Sequence, residues 1–367
     1  MSVTVESHSV SSPLQGTIAQ AIDAAGGWLP FDRYMELALY APGLGYYARA
    51  EQPFGRWPGS RSDFVTAPEL TPLFGQTLAR QVSQALRAAD ADSVIEFGAG
   101  SGALAETLLG ALGTPLRSYR IVELSAALRA RQAERLAPFG TRVQWLDAIP
   151  EAVDAVMLGN EVLDAMPVQL LAFDGHAWFE RGVALDAQGA LAWNDRPTAL
   201  RPPHDEGFAP GTVIELHARA HAFVASLAHW LRRGAAFFID YGFPAAEYYH
   251  PQRLGGTLMC HRAHRADSDP LRDVGLKDIT AHVNFSGVAL AGQEAGLHVL
   301  GYTSQARFLL NCGVLELMQQ SNAAQRAAAQ MLLAEHEMGE LFKVIGFVKG
   351  CTFDAIGFAA GDRSHRL

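Results

Sequence analysis

From Ser93 onward the chain repeats one pattern: a short apolar run, a turn rich in small or acidic residues, then a stretch in which apolar residues recur every three or four positions. "SVIEF" leads into "ALAETLLGAL", "YRIVEL" leads into "AALRARQAERLAPF", and "RVQWLD" and "AVDAVMLGNE" follow as third and fourth strands. Short apolar runs bounded by turns read as buried strands, and their alternation with helical periods predicts a parallel sheet with helices on its faces, because parallel strands need crossover connections. "AAFFIDYGF", "LHVLGY" and "LFKVIGFVKG" supply a fifth, a sixth and a last strand. Upstream, Ala67 to Arg87 has helical spacing and predicts one long helix delivering the chain to the first strand, after two helices separated by Gly- and Pro-containing breakers.

Between Pro167 and Trp193 the period drops to two. Asp174-Gly175 between alternating runs predicts a type I′ hairpin, and Gly189 a turn into a third strand, so an antiparallel sheet is inserted here. A Pro-rich link then leads to a helix from Ala218 to Arg232. Pro244 to Asn284 has no sustained period and reads as an irregular lid. A helix from Ser286 to Ala295 stops at Gly296, and helices fill Ser304 to Glu340. The organisation expected is a helical cap over 1–75, the first half of an α/β domain over 76–166, the insert over 167–213, and the second half over 214–367 with the lid at about 244–284.

A chain of 367 residues with 49% apolar content can bury a large core. Its net charge of -9 and lack of any Lys/Arg-rich run argue against a general grip on nucleic acid. No uncharged apolar run approaches the roughly 18 residues of a membrane-spanning helix. The three scattered cysteines, Cys260, Cys312 and Cys351, suit a reducing compartment, so a cytoplasmic location is expected. "CHRAH" at Cys260 to His264 looks like a metal half-site, but no matching Cys/His pair occurs and no metal is expected.

The candidate chemistry lies where open α/β sheets bind ligands, beyond the C-terminal ends of the strands. After the first strand come Gly98, Gly100 and Gly102, spaced G-x-G-x-G rather than the G-x-G-x-x-G of dinucleotide sites. Glu96 stands two residues before the first glycine, where its charge would oppose a pyrophosphate and welcome a cation. S-adenosylmethionine, with a sulfonium and an ammonium and no phosphate, fits both features. Glu123 at the second strand end is placed to accept both ribose hydroxyls of an adenosyl group, Asp147 after the third is placed to reach the adenine amino group, and Asn160 ends the fourth. The alternative for each acid is a solvated strand end or a helix cap.

The blocks "DFVTAPELTPLFGQTLARQV", "IEFGAGSG", "GNEVLDAMPV", "FFIDYG", "DITAHVNF" and "GYTSQARFLLNCG" together resemble the MidA family of class I methyltransferases, which includes a mitochondrial arginine methyltransferase acting in assembly of respiratory complex I. The resemblance spans nearly the whole chain. It implies a Rossmann-like class I sheet with the last strand antiparallel, S-adenosylmethionine as methyl donor, and a protein side chain as acceptor, with a respiratory-complex subunit as one candidate. It also implies that the segment carrying Asp63, Thr66 and Glu69 closes over the donor. Read from its residues alone, that segment is a capping box with Thr66 as cap and Glu69 at the third helical position.

A guanidinium acceptor is always protonated and a poor nucleophile, so carboxylates must fix its plane and bias its charge. Glu161 and Asp164 are best placed for this, and their i, i+3 spacing puts them on one face if the turn is helical. Glu161 resembles the first of two loop glutamates in better-known arginine methyltransferases, although no second glutamate follows before Glu180. His282, four residues after Asp278, is a candidate to orient substrate or take a proton late in the reaction, or to make a helix-entry hydrogen bond. Four readings stay open: a protein methyltransferase favouring arginine, a small-metabolite methyltransferase, a donor-binding assembly factor, and, distantly, a nicotinamide oxidoreductase. A homodimer is compatible with all of them.

Overall fold

The computed structural model describes residues 7–49, 66–204, 207–262 and 265–367. The chain forms two compact units. One comprises Phe54–Asp164, His221–Ala245 and Val283–Leu367, and the other Met1–Pro53, Ala165–Ala220 and Ala246–His282.

Among the described residues the first unit's sheet runs through seven strands, β1 (Ser93–Phe97), β2 (Ser118–Val122), β3 (Val143–Leu146), β4 (Val153–Asn160), β5 (Leu231–Phe243), β6 (His298–Ser304) and β7 (Phe342–Lys349), with the short strand Val283–Asn284 pairing beside the end of β5. The seven lie in the order β6-β7-β5-β4-β1-β2-β3. β1 to β5 pair in parallel, and β7 runs antiparallel between β5 and β6. This is the Rossmann-like class I sheet implied by the resemblance. The register is what makes a site. Phe97 pairs with both Val122 and Gly159, Val122 with Leu146, and Asn160 with Ile239, so the loops after β1 to β5 all leave the same edge.

All five residues of β1 are buried, and so are Val156, Leu158, Ala235, Phe237 and Ile239 of its neighbours. Val94 and these five neighbours form one core with the helix Pro72–Ala89, whose stripe Phe74, Leu78, Val82 and Ala85 recurs at helical spacing. Truncating a fully buried ring such as Phe237 to Ala removes about 3–5 kcal/mol of this stabilisation. The long helix expected from Ala67 is broken after one turn into Ala67–Leu70 and Pro72–Ala89. Thr71 takes extended dihedrals, its hydroxyl accepts from the Leu73 N–H, and Pro72 begins the second helix without needing a donor. Neither does the capping box form: Thr66 makes no side-chain cap bond, and Glu69 turns elsewhere.

In the second unit the inserted antiparallel sheet is present, with Gln169–Phe173, Trp178–Leu185 and Leu191–Pro197 joined by Val213–Leu216 and Leu29–Pro30. Its first turn is not type I′, because of the pair only Gly175 has a positive φ. The Asp174 carboxylate accepts from the His176 and Ala177 N–H groups, at 2.7 Å each, and so holds Asp174 outside the turn's centre. The stretch expected to be irregular contains a three-stranded antiparallel sheet, Met259–Arg262, Arg265–Asp267 and Asp278–Thr280. These strands are three or four residues long, too short for a period to show. Lys277, buried beside them, is held by both carboxylate oxygens of Asp267 and the Asp269 carbonyl. Among the described residues no helix is long and apolar enough to cross a membrane.

Candidate active site

The glycine loop is left-handed at each of its three glycines, with φ of +60° at Gly98, +52° at Gly100 and +83° at Gly102. L-residues with a Cβ pay for that conformation sterically, which is why glycine recurs there. The loop starts with the Gly98 N–H on the Val122 carbonyl at 3.0 Å, and Gly102 caps the helix Ala103–Leu112. Two side chains of the helix Ala126–Leu136 brace it. Gln132 Nε2 donates to the Gly100 carbonyl, and Arg135 donates to the Ser101 carbonyl and hydroxyl. The Ser101 hydroxyl in turn donates to Glu69, which also pairs with Arg135, so the segment beginning at Thr66 is fastened to the loop. Thr66 is half-buried at the start of that segment, and Asp63 lies outside the described residues.

Glu96 is almost wholly buried and accepts from the Tyr119 hydroxyl at 2.7 Å. Burial pushes its carboxyl up to about 7, against the lowering effect of that hydrogen bond, and the nearby Glu123 charge pushes the same way. Glu123 at the end of β2 is also buried, and desolvation raises its pKa. The Ser125 N–H at 2.9 Å and Gln132 Nε2 at 3.1 Å fix its two oxygens. Beside it, Leu124 is 85% exposed, an apolar face next to a carboxylate. Asp147 points outward and pairs with Arg129, whose other nitrogens reach the Glu123 and Leu146 carbonyls and tie the ends of β2 and β3 together.

The turn after β4 is not helical, so the expected shared face of Glu161 and Asp164 does not arise from i, i+3 spacing. Instead Glu161 itself takes a left-handed conformation, φ +54°, which costs a residue with a Cβ about 1 kcal/mol or more. Its N–H bonds the Ile239 carbonyl at 2.9 Å, and Asn160 Nδ2 donates to its carboxylate at 2.9 Å. The reversal at Glu161 points three successive N–H groups, of Val162, Leu163 and Asp164, at one oxygen of Asp240, at 3.2, 2.9 and 3.3 Å. Asp240 is buried, and its other oxygen accepts from the Tyr241 N–H. Desolvation, then the charges of Asp164 and Glu161, drive its pKa well above the usual carboxylate range. Two acids of the turn thus face a third carboxyl group on β5 whose ionisation they oppose, an arrangement that a nearby cation would relieve. The turn also touches the loop after β1: a Cβ on Gly98 would stand 3.2 Å from Val162 Cγ2.

His282 belongs to the other unit, where its N–H bonds the Thr257 hydroxyl, and Asp278 accepts from the Tyr47 hydroxyl. His264 of the "CHRAH" stretch lies outside the described residues. The sequence alone assigns no role to Asp240, Tyr119, Gln132 or Arg135. Gln132 had a signal: with Leu128 and Leu136 it forms the buried i, i+4 stripe of its helix, a position where a polar residue needs partners.

The family model described as "Putative S-adenosyl-L-methionine-dependent methyltransferase" matches residues 77–303. A Burkholderia thailandensis protein described as a "likely methyl transferase", crystallised with S-adenosyl-homocysteine, is 50% identical and superposes with a TM-score of 0.94 over 100% of both chains. The mitochondrial protein arginine methyltransferase NDUFAF7 of Danio rerio is 27% identical over 92% of this chain and 87% of its own. The corresponding homolog of Caenorhabditis elegans is 26% identical over 77% and 72%. The strand order is that of a class I methyltransferase, and the chain belongs to the family whose model it matches: it is a MidA-type S-adenosylmethionine-dependent methyltransferase.

Proposed function

We propose that the acceptor is an arginine side chain of a protein. The observation that carries this reading is the turn after β4, where Glu161 and Asp164 stand over a third buried carboxylate, Asp240. The arginine methyltransferase names of the curated relatives support it. A guanidinium placed at that turn would relieve the repulsion among these acids, and its fixed fork of donors suits carboxylates held in a rigid backbone.

In this reading Gly98, Gly100 and Gly102 admit the donor's amino-acid end close to the backbone, with Glu96 beneath and Thr66 to Glu69 over it. Glu123 takes the ribose hydroxyls, and Asp147 and Asn160 complete the adenosyl side. All three glycines hold left-handed conformations and carry no Cβ, which suits close approach of a ligand to the backbone. Bound S-adenosylmethionine supplies an already activated methyl group. What the protein must add is alignment and exclusion of water. Glu161 and Asp164 orient the guanidinium and draw its positive charge away from the attacking nitrogen. One proton leaves that nitrogen for solvent as the methyl group is transferred. The three cysteines are unpaired, which suits a reducing compartment, and we place the protein in the cytoplasm. Respiratory-complex subunits are the first substrates to try.

The test is methyl transfer from tritiated S-adenosylmethionine to a lysate of cells lacking the gene, with a Glu161→Gln, Asp164→Asn double variant alongside. One labelled protein band is expected with the wild type and at least about a hundredfold less label with the variant, whose affinity for S-adenosyl-homocysteine stays within about twofold. Label confined to the small-molecule fraction, or undiminished in the variant, would contradict the proposal.

A further inference from the structure

We propose that Gln132 is a positioning residue for the donor, its side-chain amide holding Glu123 in the orientation that accepts the ribose hydroxyls. The inference rests on the reading of Glu123 as the ribose carboxylate.

Gln132 is fully buried on a helix face otherwise filled by Leu128 and Leu136. A buried amide is tolerated only when its polar atoms are bonded, and here both ends are. Nε2 donates to the Gly100 carbonyl at 2.9 Å and to Glu123 Oε2 at 3.1 Å, while Oε1 accepts from Trp145 Nε1 at 2.8 Å. The orientation is unambiguous: a flipped amide would face its oxygen toward a carbonyl and a carboxylate, and its hydrogens toward an indole N–H. One neutral side chain thus joins the loop after β1, the carboxylate ending β2 and a residue of β3.

Its neutrality matters. A lysine here would cancel the charge of Glu123, and a leucine would leave Oε2 without the donor that fixes its plane. With the Ser125 N–H on Oε1, the amide locks the carboxylate from both sides. Two hydroxyls on adjacent ribose carbons need both oxygens in a fixed plane, so freeing Oε2 should weaken ribose recognition selectively. A purely structural role for Gln132 would instead weaken every adenosyl ligand equally.

The test is calorimetric titration of wild type and Gln132→Met with S-adenosyl-homocysteine and with its 2′,3′-dideoxy analogue. The variant should bind S-adenosyl-homocysteine about tenfold more weakly and the analogue less than about threefold more weakly, the mark of coupling between the side chain and the hydroxyls. Equal loss for both ligands would overturn the inference. Wild type binding both ligands equally well would overturn the reading of Glu123 itself, a separate outcome. Should Gln132→Met fail to fold, Trp145→Phe removes only the donor on Gln132 Oε1 from a half-buried site. It should weaken S-adenosyl-homocysteine about threefold and leave the analogue unchanged, and no selective loss there would likewise overturn the inference.

Discussion

The loop after β1 and the turn after β4 leave the same sheet edge, and both depend on left-handed backbone, yet they are built in opposite ways. The first uses three glycines and is braced by a neutral amide and a guanidinium, Gln132 and Arg135. The second forces a glutamate into that conformation and folds around a carboxylate, Asp240. The first arrangement keeps backbone open for close approach of a ligand. The second gathers three carboxyl groups around a rigid turn, at a cost in strain and desolvation that a cationic partner would offset. On the proposed function, donor and acceptor chemistry divide between these two neighbouring strand ends.

The largest effect expected on this division is from Gly100→Val. A β-branched residue at φ +52° is strained and fills the ligand's space, so donor affinity should drop by about a hundredfold or more in a protein that still melts cooperatively. Unchanged affinity in calorimetry would remove the glycine loop from the donor site.

Asp240→Asn should act on the other region. The amide keeps one acceptor oxygen for three N–H groups but turns its NH2 toward the Tyr241 N–H, which loses its acceptor, a change worth about 1–3 kcal/mol. Methyl transfer should slow about tenfold to a hundredfold while donor affinity changes less than about threefold. Equal losses in rate and donor affinity would show that the two regions are not separate.

Much of the sheet was legible in the sequence because buried parallel strands are apolar throughout, as in "SVIEF" and "AAFFIDYGF", and the class I order came with the family resemblance. The acids at strand ends were legible by position. What holds them was not. Asp240 serves Val162 to Asp164, about 77 residues away, and a bond of that separation leaves no local period. Gln132 sits among Arg131, Glu134 and Arg135, whose charges mask a buried position. The break at Thr71 and the shifted hairpin turn at Asp174 have a common cause: a hydroxyl or carboxylate captured backbone N–H groups that the regular pattern assigned elsewhere.

A separate effect, on stability rather than on activity, concerns Glu96. Its folded pKa is raised to about 7, so its contribution to stability is fully present below the unfolded value of 4.5 and is lost as pH rises through about 7. Between those limits wild type should lose about 1.4 kcal/mol of stability per pH unit relative to Glu96→Gln, measured as the difference in urea midpoints. Parallel curves for the two proteins would mean that Glu96 is ionised throughout, with its charge already matched in the free protein.

The central claim, that the carboxylate turn serves a guanidinium, is tested most directly by locating the methyl group. Protein labelled from S-adenosylmethionine carrying a deuterated methyl would be digested and its modified peptide sequenced by mass spectrometry. The account predicts the label on an arginine guanidinium nitrogen. A label on lysine, glutamine or a carboxylate side chain would contradict it.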